Sequence, residues 1–96
     1  MPLDPVVAER REEILRLAEK HGARNVRVFG SAARGELGPG SDVDFLVDLD
    51  ADRDLFDLGG LLMDLQDLLD RQVDVATAQG IHEYIRQRVL EEAQPL

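Results

Sequence analysis

The sequence contains no cysteine and no tryptophan, and only one tyrosine and three phenylalanines. Without cysteine, disulfide bonds and thiolate metal sites are excluded. No apolar run approaches the roughly 20 residues that a membrane-spanning helix needs, so we expect no membrane association. Met1 to Arg11 carries charges where a secretion signal would have an apolar core, so we expect a cytoplasmic protein.

The length and composition predict a single globular domain. A chain of 96 residues can bury one modest hydrophobic core. Its 44% of apolar and 32% of charged residues are typical of a soluble globular protein and not of a disordered one. We therefore predict that residues 1–96 form one domain.

The acidic charge is concentrated in one segment. The chain has a formal net charge of −9, and the segment from Asp42 to Asp74 holds 11 aspartates and two arginines, whereas the rest is neutral. An acidic domain repels a phosphate backbone, so we expect no direct nucleic-acid binding. Acidic surfaces suit basic protein partners and divalent cations. Most of these aspartates should be solvated, and four of them form either the wet face of a helix or a rim for a partner: Asp54, Asp57, Asp64 and Asp67.

Hydrophobic periodicity and turn residues predict an α+β fold with the order helix, strand, short helical turn, strand, helix, strand, helix. The predicted elements are a helix from Asp4 to Gly22, a strand Asn25 to Phe29, a turn Ser31 to Gly35, a strand Asp42 to Leu49, a helix Leu55 to Leu69, a strand Gln72 to Ala76 and a helix capped by Thr77. Pro95 is predicted to end the regular structure. The pair Gly59-Gly60 marks either close packing or a helix break.

The connections predict how the strands pair. The first two strands are joined by a short connection, which favours antiparallel neighbours, and the second and third are joined through a helix, the crossover that a parallel pair requires. The result is a small mixed sheet with helices packed mainly on one face.

Three aspartates can converge on one face of this sheet. Asp42 and Asp44 are two residues apart on a strand, so their side chains project from the same face about 7 Å apart. Asp74 stands between Val73 and Val75 on the third strand and lies beside this pair if the two strands are neighbours. Converging carboxylates repel one another unless a cation neutralises them, and hard oxygen ligands favour Mg²⁺ or Mn²⁺. Taken alone, the Asp-x-Asp pair is more often solvated in a chain this acidic.

The segment before this pair strengthens the case for a site. Phe29-Gly30-Ser31 takes a strand through a glycine turn into a helix start, which exposes backbone N–H groups and a hydroxyl that suit the phosphates of a nucleotide. Arg34, one turn further, can add positive charge. Taken alone, Gly-Ser is more often an ordinary turn. The combination of Gly30-Ser31, ten intervening residues and then Asp42 and Asp44 is rare by chance.

The residues Gly30-Ser31-Ala32-Ala33-Arg34-Gly35, followed by Ser41-Asp42-Val43-Asp44-Phe45, resemble the signature of the polymerase-beta-type nucleotidyltransferases. The chain is most similar to the minimal nucleotidyltransferases, or MNT domains, of bacteria and archaea. The resemblance covers most of the chain and is sharpest from Val26 to Val47. It implies transfer of a nucleoside monophosphate from a triphosphate to a hydroxyl, with release of pyrophosphate.

The resemblance also implies roles for single residues. Asp42 and Asp44 would bind the metals that hold the triphosphate, and Asp74 would help bind the second metal and favour deprotonation of the attacking hydroxyl. Gly30 and Ser31 would hold the triphosphate tail. Arg34 would bind phosphate or buttress the loop. The cofactor would be Mg²⁺, or Mn²⁺, and the substrate would be ATP.

Minimal members of the family lack the domains with which larger relatives bind other substrates, so the acceptor is expected on a partner. MNT proteins are typically paired with HEPN-type ribonuclease toxins, and they transfer AMP to a toxin tyrosine. We therefore predict an antitoxin that adenylylates its toxin. One alternative is a non-catalytic acidic module that neutralises its partner by covering it. Another is an enzyme that adds nucleotides to RNA, which the acidic charge disfavours.

Overall fold

The computed structural model describes residues 3–81 and 83–96. In chain order the elements are α1 (Pro5–Ala8), α2 (Arg11–Lys20), β1 (Ala23–Phe29), a 3-10 turn (Gly30–Ala32), β2 (Val43–Leu49), α3 (Leu55–Leu69), β3 (Val73–Thr77), α4 (Glu83–Glu92) and β4 (Gln94–Pro95). None of the described helices is both long enough and apolar enough to cross a membrane.

The four strands form one mixed sheet in the order β3-β2-β1-β4. β1 pairs with β2 antiparallel, and β2 pairs with β3 in parallel. Both pairings and the α+β class confirm the sequence predictions. The described part of the chain also contains a fourth strand, because Gln94–Pro95 pairs with Val28 and Arg27 of β1. Pro95 ends the regular structure as predicted, but it does so as the last residue of a strand that the sequence did not predict.

The core lies between one face of the sheet and the helices α2 and α3. It contains alternate residues of β1 and β2, together with Ile14 and Ala18 of α2 and Leu61 and Leu65 of α3. Leu46 points to the opposite face of β2, yet it is fully buried. Val89 of α4 is also buried, with only 7% of its surface exposed. Neither residue belongs to the main core cluster. β2 is thus buried on both faces at its centre.

The N-terminal helix is divided in two, whereas the sequence predicted one helix up to Gly22. The start of α1 is bonded to a distant part of the chain, because the Asp4 N–H donates to the Ala32 carbonyl at 3.2 Å. One Asp4 carboxylate oxygen caps α1 by accepting from the Val6 N–H at 3.0 Å. The second oxygen accepts from the Leu37 N–H at 3.1 Å. These contacts orient α1 independently of α2.

Asp4→Ala should lower the free energy of unfolding by about 2–3 kcal/mol, because Asp4 is only 5% exposed and its loss leaves two backbone N–H groups without their acceptor. Asp54 caps α3 in the same way from an exposed position, so Asp54→Ala is the matched control and should cost about 1 kcal/mol. Urea denaturation of both variants measures the difference. Equal losses would contradict the structural role assigned to Asp4.

One further boundary differs from prediction. Thr77 is the last residue of β3 and does not cap a helix, because its carbonyl and its hydroxyl both accept from the Gly80 N–H in a tight turn. α3 has the predicted bounds, is continuous through Gly59-Gly60 and starts at a capping box formed by its N-cap Asp54 and by Asp57. His82 lies outside the described residues.

Candidate active site

The sheet brings Asp44 and Asp74 side by side. The two residues are register partners on the parallel strands β2 and β3. Asp42 lies immediately before β2 and is exposed, as is Asp74, whereas Asp44 is half-buried. Asp44 of β2 and Asp74 of β3 therefore lie side by side, as the parallel pairing predicted, and Asp42 precedes β2 at the same end of the sheet.

The electrostatics show that Asp44 is affected by its burial and by the other two carboxylates. Burial raises the pKa of the Asp44 carboxyl, and the negative charges of Asp74 and Asp42 raise it further. Raising the pKa of an acid means that its ionised form is unfavourable where it stands. The carboxylates of Asp42 and Asp74 therefore repel an ionised Asp44, and a bound cation would offset this repulsion.

Gly30 lies next to the Asp44 carboxylate, on the side of β1. Phe29, the residue before it, is the register partner of Asp44 on β1. Gly30 has a φ of +68°, and a Cβ added there would lie 2.9 Å from Asp44 Oδ2. The glycine is thus needed for the left-handed turn out of β1 and for the approach of the Asp44 carboxylate to the backbone. The sequence predicted the turn and a phosphate-binding role for Gly30, but not its contact with Asp44.

The turn after Gly30 is held by its own backbone. The Ser31 carbonyl accepts from the N–H groups of Arg34 and Glu36, at 3.2 and 2.8 Å. Arg34 is exposed, and its guanidinium contacts Glu36 at 3.2 Å and Glu92 of α4 at 3.7 Å. Of the two predicted roles of Arg34, buttressing the loop is the one that these ion pairs favour.

Arg71 is a positioning residue that the sequence analysis missed. Its guanidinium donates from Nη1 to the carbonyls of Gly38 and Ser41, at 3.1 and 3.4 Å. It therefore fixes the loop that leads into Asp42 to the end of α3. A single arginine after a helix carries no pattern that distinguishes it from a surface residue, so no signal in the sequence identified it.

Arg71→Met should raise the KM for the metal–nucleotide complex about fivefold to twentyfold, with a smaller change in kcat, because the loop before Asp42 loses its anchor. Arg71→Lys should restore part of the loss. Arg24→Met is the control, since Arg24 pairs with Asp50 at the far end of β2. Steady-state kinetics test this role, and an unchanged KM in Arg71→Met would contradict it.

The donor set suits a hard divalent cation. Three carboxylates on neighbouring strands offer only oxygen ligands, which Mg²⁺ and Mn²⁺ prefer. Among residues 3–81 and 83–96, no group of three or more His, Cys, Asp or Glu side chains is arranged so that it could hold a metal ion, so Asp42, Asp44 and Asp74 do not form the three-carboxylate metal site that the sequence predicted. This is compatible with an open site, because Mg²⁺ is usually bound through one or two carboxylates plus substrate phosphates and water.

Comparison with known proteins places the chain in a family. The family model "Nucleotidyltransferase domain" matches residues 10–96. The chain belongs to the nucleotidyltransferase domain family. A Methanocaldococcus jannaschii protein, named provisionally as a protein adenylyltransferase, is 37% identical over 91% of this chain and 94% of its own length. Protein adenylyltransferase MntA of Thermococcus cleftensis is 38% identical over 79% of this chain and 77% of its own length.

Solved structures agree with this assignment. One described provisionally as a minimal nucleotidyltransferase has a TM-score of 0.85 and 44% identity, over 94% of this chain and 92% of that one. A toxin–antitoxin structure with AMP-PNP has a TM-score of 0.75 over 88% of this chain and 69% of that one, and at 22% identity it shows the shared fold alone. This nucleotidyltransferase therefore resembles the minimal members of the family in both sequence and fold.

Proposed function

We propose that this nucleotidyltransferase transfers AMP from ATP to a hydroxyl group of a partner protein and so acts as an antitoxin. The acceptor is a tyrosine of a HEPN-type toxin, and the reaction depends on Mg²⁺ or Mn²⁺. The observation that carries the proposal is Asp44, which lies between Asp74 on the next strand and the Gly30 turn. The Thermococcus cleftensis relative, named protein adenylyltransferase MntA, supports the choice of acceptor.

The chain's own residues bind and orient the reactants. Asp42 and Asp44 would hold the cation, with Asp74 completing the set. When bound, the cation supplies neutralisation of the triphosphate charge and polarisation of its oxygens. The Gly30-Ser31 turn offers backbone N–H groups and a hydroxyl to the β- and γ-phosphates, at the start of the 3-10 turn Gly30–Ala32.

The proposed reaction is an in-line substitution at the α-phosphorus. The acceptor oxygen forms a bond to this phosphorus while the bond to the bridging oxygen of the β-phosphate breaks, and pyrophosphate leaves. Asp74 is exposed beside Asp44 and favours removal of the proton from the acceptor hydroxyl. Catalysis on this scheme is positioning and charge neutralisation, as in other phosphate-transfer sites.

The partner is expected on two grounds. The solved structure with AMP-PNP is a toxin–antitoxin complex, which supports a toxin as the partner of a chain with the same fold. The acidic charge of this chain suits a toxin that binds RNA through a basic surface. A cytoplasmic location, where ATP is available, stays a prediction.

The test uses the protein encoded by the neighbouring reading frame as the acceptor. It is incubated with this chain, ATP and Mg²⁺, and its intact mass is measured alongside an Asp42→Asn, Asp44→Asn control. We expect a gain of one or more AMP groups that is absent in the control. Neutralisation by the control variant, with a stable complex and no mass gain for either protein, would overturn the enzymatic proposal in favour of occlusion.

A further inference from the structure

α3 carries apolar side chains on both of its sides. Leu61 and Leu65 are buried in the core, as the sequence pattern predicted. Phe56 and Met63, seven residues apart and therefore nearly aligned along the helix, lie on the side away from the core and are 91% and 65% exposed. Leu55, at the start of the helix, is 80% exposed. A helix on the surface of a protein normally has polar residues in these positions, so this face has the composition of an interface.

Gly59 lies between Phe56 and Met63 on this face. Glycine is among the least favourable residues inside a helix, so its presence calls for a reason. At Gly60 the fold supplies one, because an added Cβ would lie 2.8 Å from the His21 ring. At Gly59 an added Cβ would meet nothing within 4 Å. The missing side chain of Gly59 leaves a notch in the helix surface, and no contact within the described residues requires it. A second helix that crosses α3 at this notch could approach closely.

The charges around the face indicate what can bind there. Six aspartates lie on α3 and on the loop before it: Asp50, which pairs with Arg24, and Asp52, Asp54, Asp57, Asp64 and Asp67. Arg53 pairs with Asp57, and Lys20 and His21 bind Asp64, which leaves the rim strongly acidic overall. A second copy of this chain would place the same carboxylates opposite one another, which opposes self-association. A partner with lysine and arginine around an apolar stripe is complementary.

The face is separate from the candidate active site. Asp44 alternates with Val43 and Phe45 along β2, and those two residues point into the core that α3 covers. The carboxylates therefore lie on the opposite side of the sheet from α3. A partner bound on α3 leaves the nucleotide site open.

We propose that the exposed face of α3, formed by Leu55, Phe56, Gly59 and Met63 within its acidic rim, is the docking surface for a helix of the acceptor protein. That helix carries apolar side chains on either side of the Gly59 notch and basic residues along its flanks. The assignment of the occupant rests on the proposed function, since it takes the acceptor to be a protein. Docking there and transfer at Asp44 are separate events.

Binding is measured by calorimetry without nucleotide, with the purified protein of the neighbouring reading frame as the probe. Gly59→Gln replaces the notch with a side chain that favours the helix, so it should raise the Tm of this chain while weakening binding at least about tenfold. Phe56→Ser and Met63→Ser should each weaken binding about tenfold or more. Glu19→Gln on α2 and Ile85→Ser on α4 are the matched exposed controls and should change binding less than about threefold.

The contribution of the acidic rim to binding is tested with a separate variant. Asp67 is exposed on α3, so Asp67→Asn should weaken binding a few-fold and reduce its dependence on salt. Binding by Gly59→Gln equal to that of the unmodified chain would overturn the proposal. So would the absence of binding by the unmodified chain, or a homodimer of this chain that Gly59→Gln dissociates.

Failure of the docking proposal is distinguishable from failure of the proposed function. If all docking variants bind the probe equally well and transfer AMP to it, the docking surface is overturned and the enzymatic function stands. Binding that Gly59→Gln weakens, without any transfer of AMP, would support the surface and overturn the enzymatic function.

Discussion

Asp44→Asn is expected to reduce the rate of nucleotidyl transfer about a thousandfold or more, while making the folded protein more stable. The activity is lost because Asp44 is the central carboxylate of the proposed cation site. Stabilisation of the transition state by a metal ion is worth several kcal/mol. The Tm should rise by about 2–5 °C, because removing one of two adjacent like charges relieves cross-strand repulsion.

The pH dependence of this stability gain follows from the raised pKa of Asp44. The folded state holds the Asp44 proton more tightly than the unfolded state, so the stability that this group contributes falls as pH rises from its ordinary value through the raised one. The advantage of Asp44→Asn should therefore be present at neutral pH and disappear in acid. Thermal melts across this range measure it.

Asp48→Asn is the matched control for this prediction. Asp48 lies on the same strand and the same face, but Arg27 donates to it at 3.0 Å, so its charge is already compensated. Asp48→Asn should keep activity within about threefold and should lower the Tm slightly. A fall in Tm for Asp44→Asn, or activity close to that of the unmodified protein, would contradict the role assigned to the carboxylate cluster.

Gly30→Ala is expected to reduce transfer at least a hundredfold and to cost more stability than the backbone alone explains. A non-glycine residue at a φ of +68° costs about 1–2 kcal/mol. The added methyl would also lie 2.9 Å from Asp44 Oδ2, so the carboxylate must move, and a displacement of about 1 Å in a catalytic group is enough for such a loss of rate.

Gly40 separates these two effects. Its φ is +81°, yet an added Cβ would meet nothing within 4 Å. Gly40→Ala should therefore lose about 1–2 kcal/mol of stability and keep most of its activity. Unfolding curves and transfer rates for both variants test the distinction, and equal activity losses would show that backbone strain, and not the contact with Asp44, is what matters at Gly30.

Local signals in the sequence were sufficient for most of the architecture. Alternation in Asp42 to Leu49 and the leucine periodicity of α3 predicted the strand and helix that position the site, and the lengths of the connections predicted both confirmed strand pairings. β4 could not be predicted in this way. Gln94–Pro95 is too short to show alternation, and it forms a strand only because β1 offers a free edge.

The break between α1 and α2 has a similar cause. Between Val7 and Ile14 there is no proline or glycine to end a helix, so periodicity alone predicts continuity. The N-terminal turn is instead fixed by long-range contacts of Asp4 with Ala32 and Leu37. The capping role of Asp4 is local and was predictable, whereas its second hydrogen bond depends on the folded loop.

The candidate site divides in the same manner. Gly30, Ser31, Asp42 and Asp44 stand in one short motif, and parallel pairing of β2 with β3 was enough to bring Asp74 beside them. The anchoring of the loop by Arg71 and the contact of Gly30 with Asp44 depend on the folded geometry. The exposure of Phe56 and Met63 also had no local signal, since the same residue types at helical spacing usually lie in a core.

The measurement that tests the central claim most directly is the fate of label from ATP carrying ³²P at either the α- or the γ-phosphate. Each form is incubated with Mg²⁺, this chain and the protein of the neighbouring reading frame. The account predicts that the α-label becomes covalently attached to that protein, that the γ-label leaves as pyrophosphate, and that Asp44→Asn prevents both. Attachment of the γ-label, or of neither label while the partner is still neutralised, would contradict nucleotidyl transfer as the function of this protein.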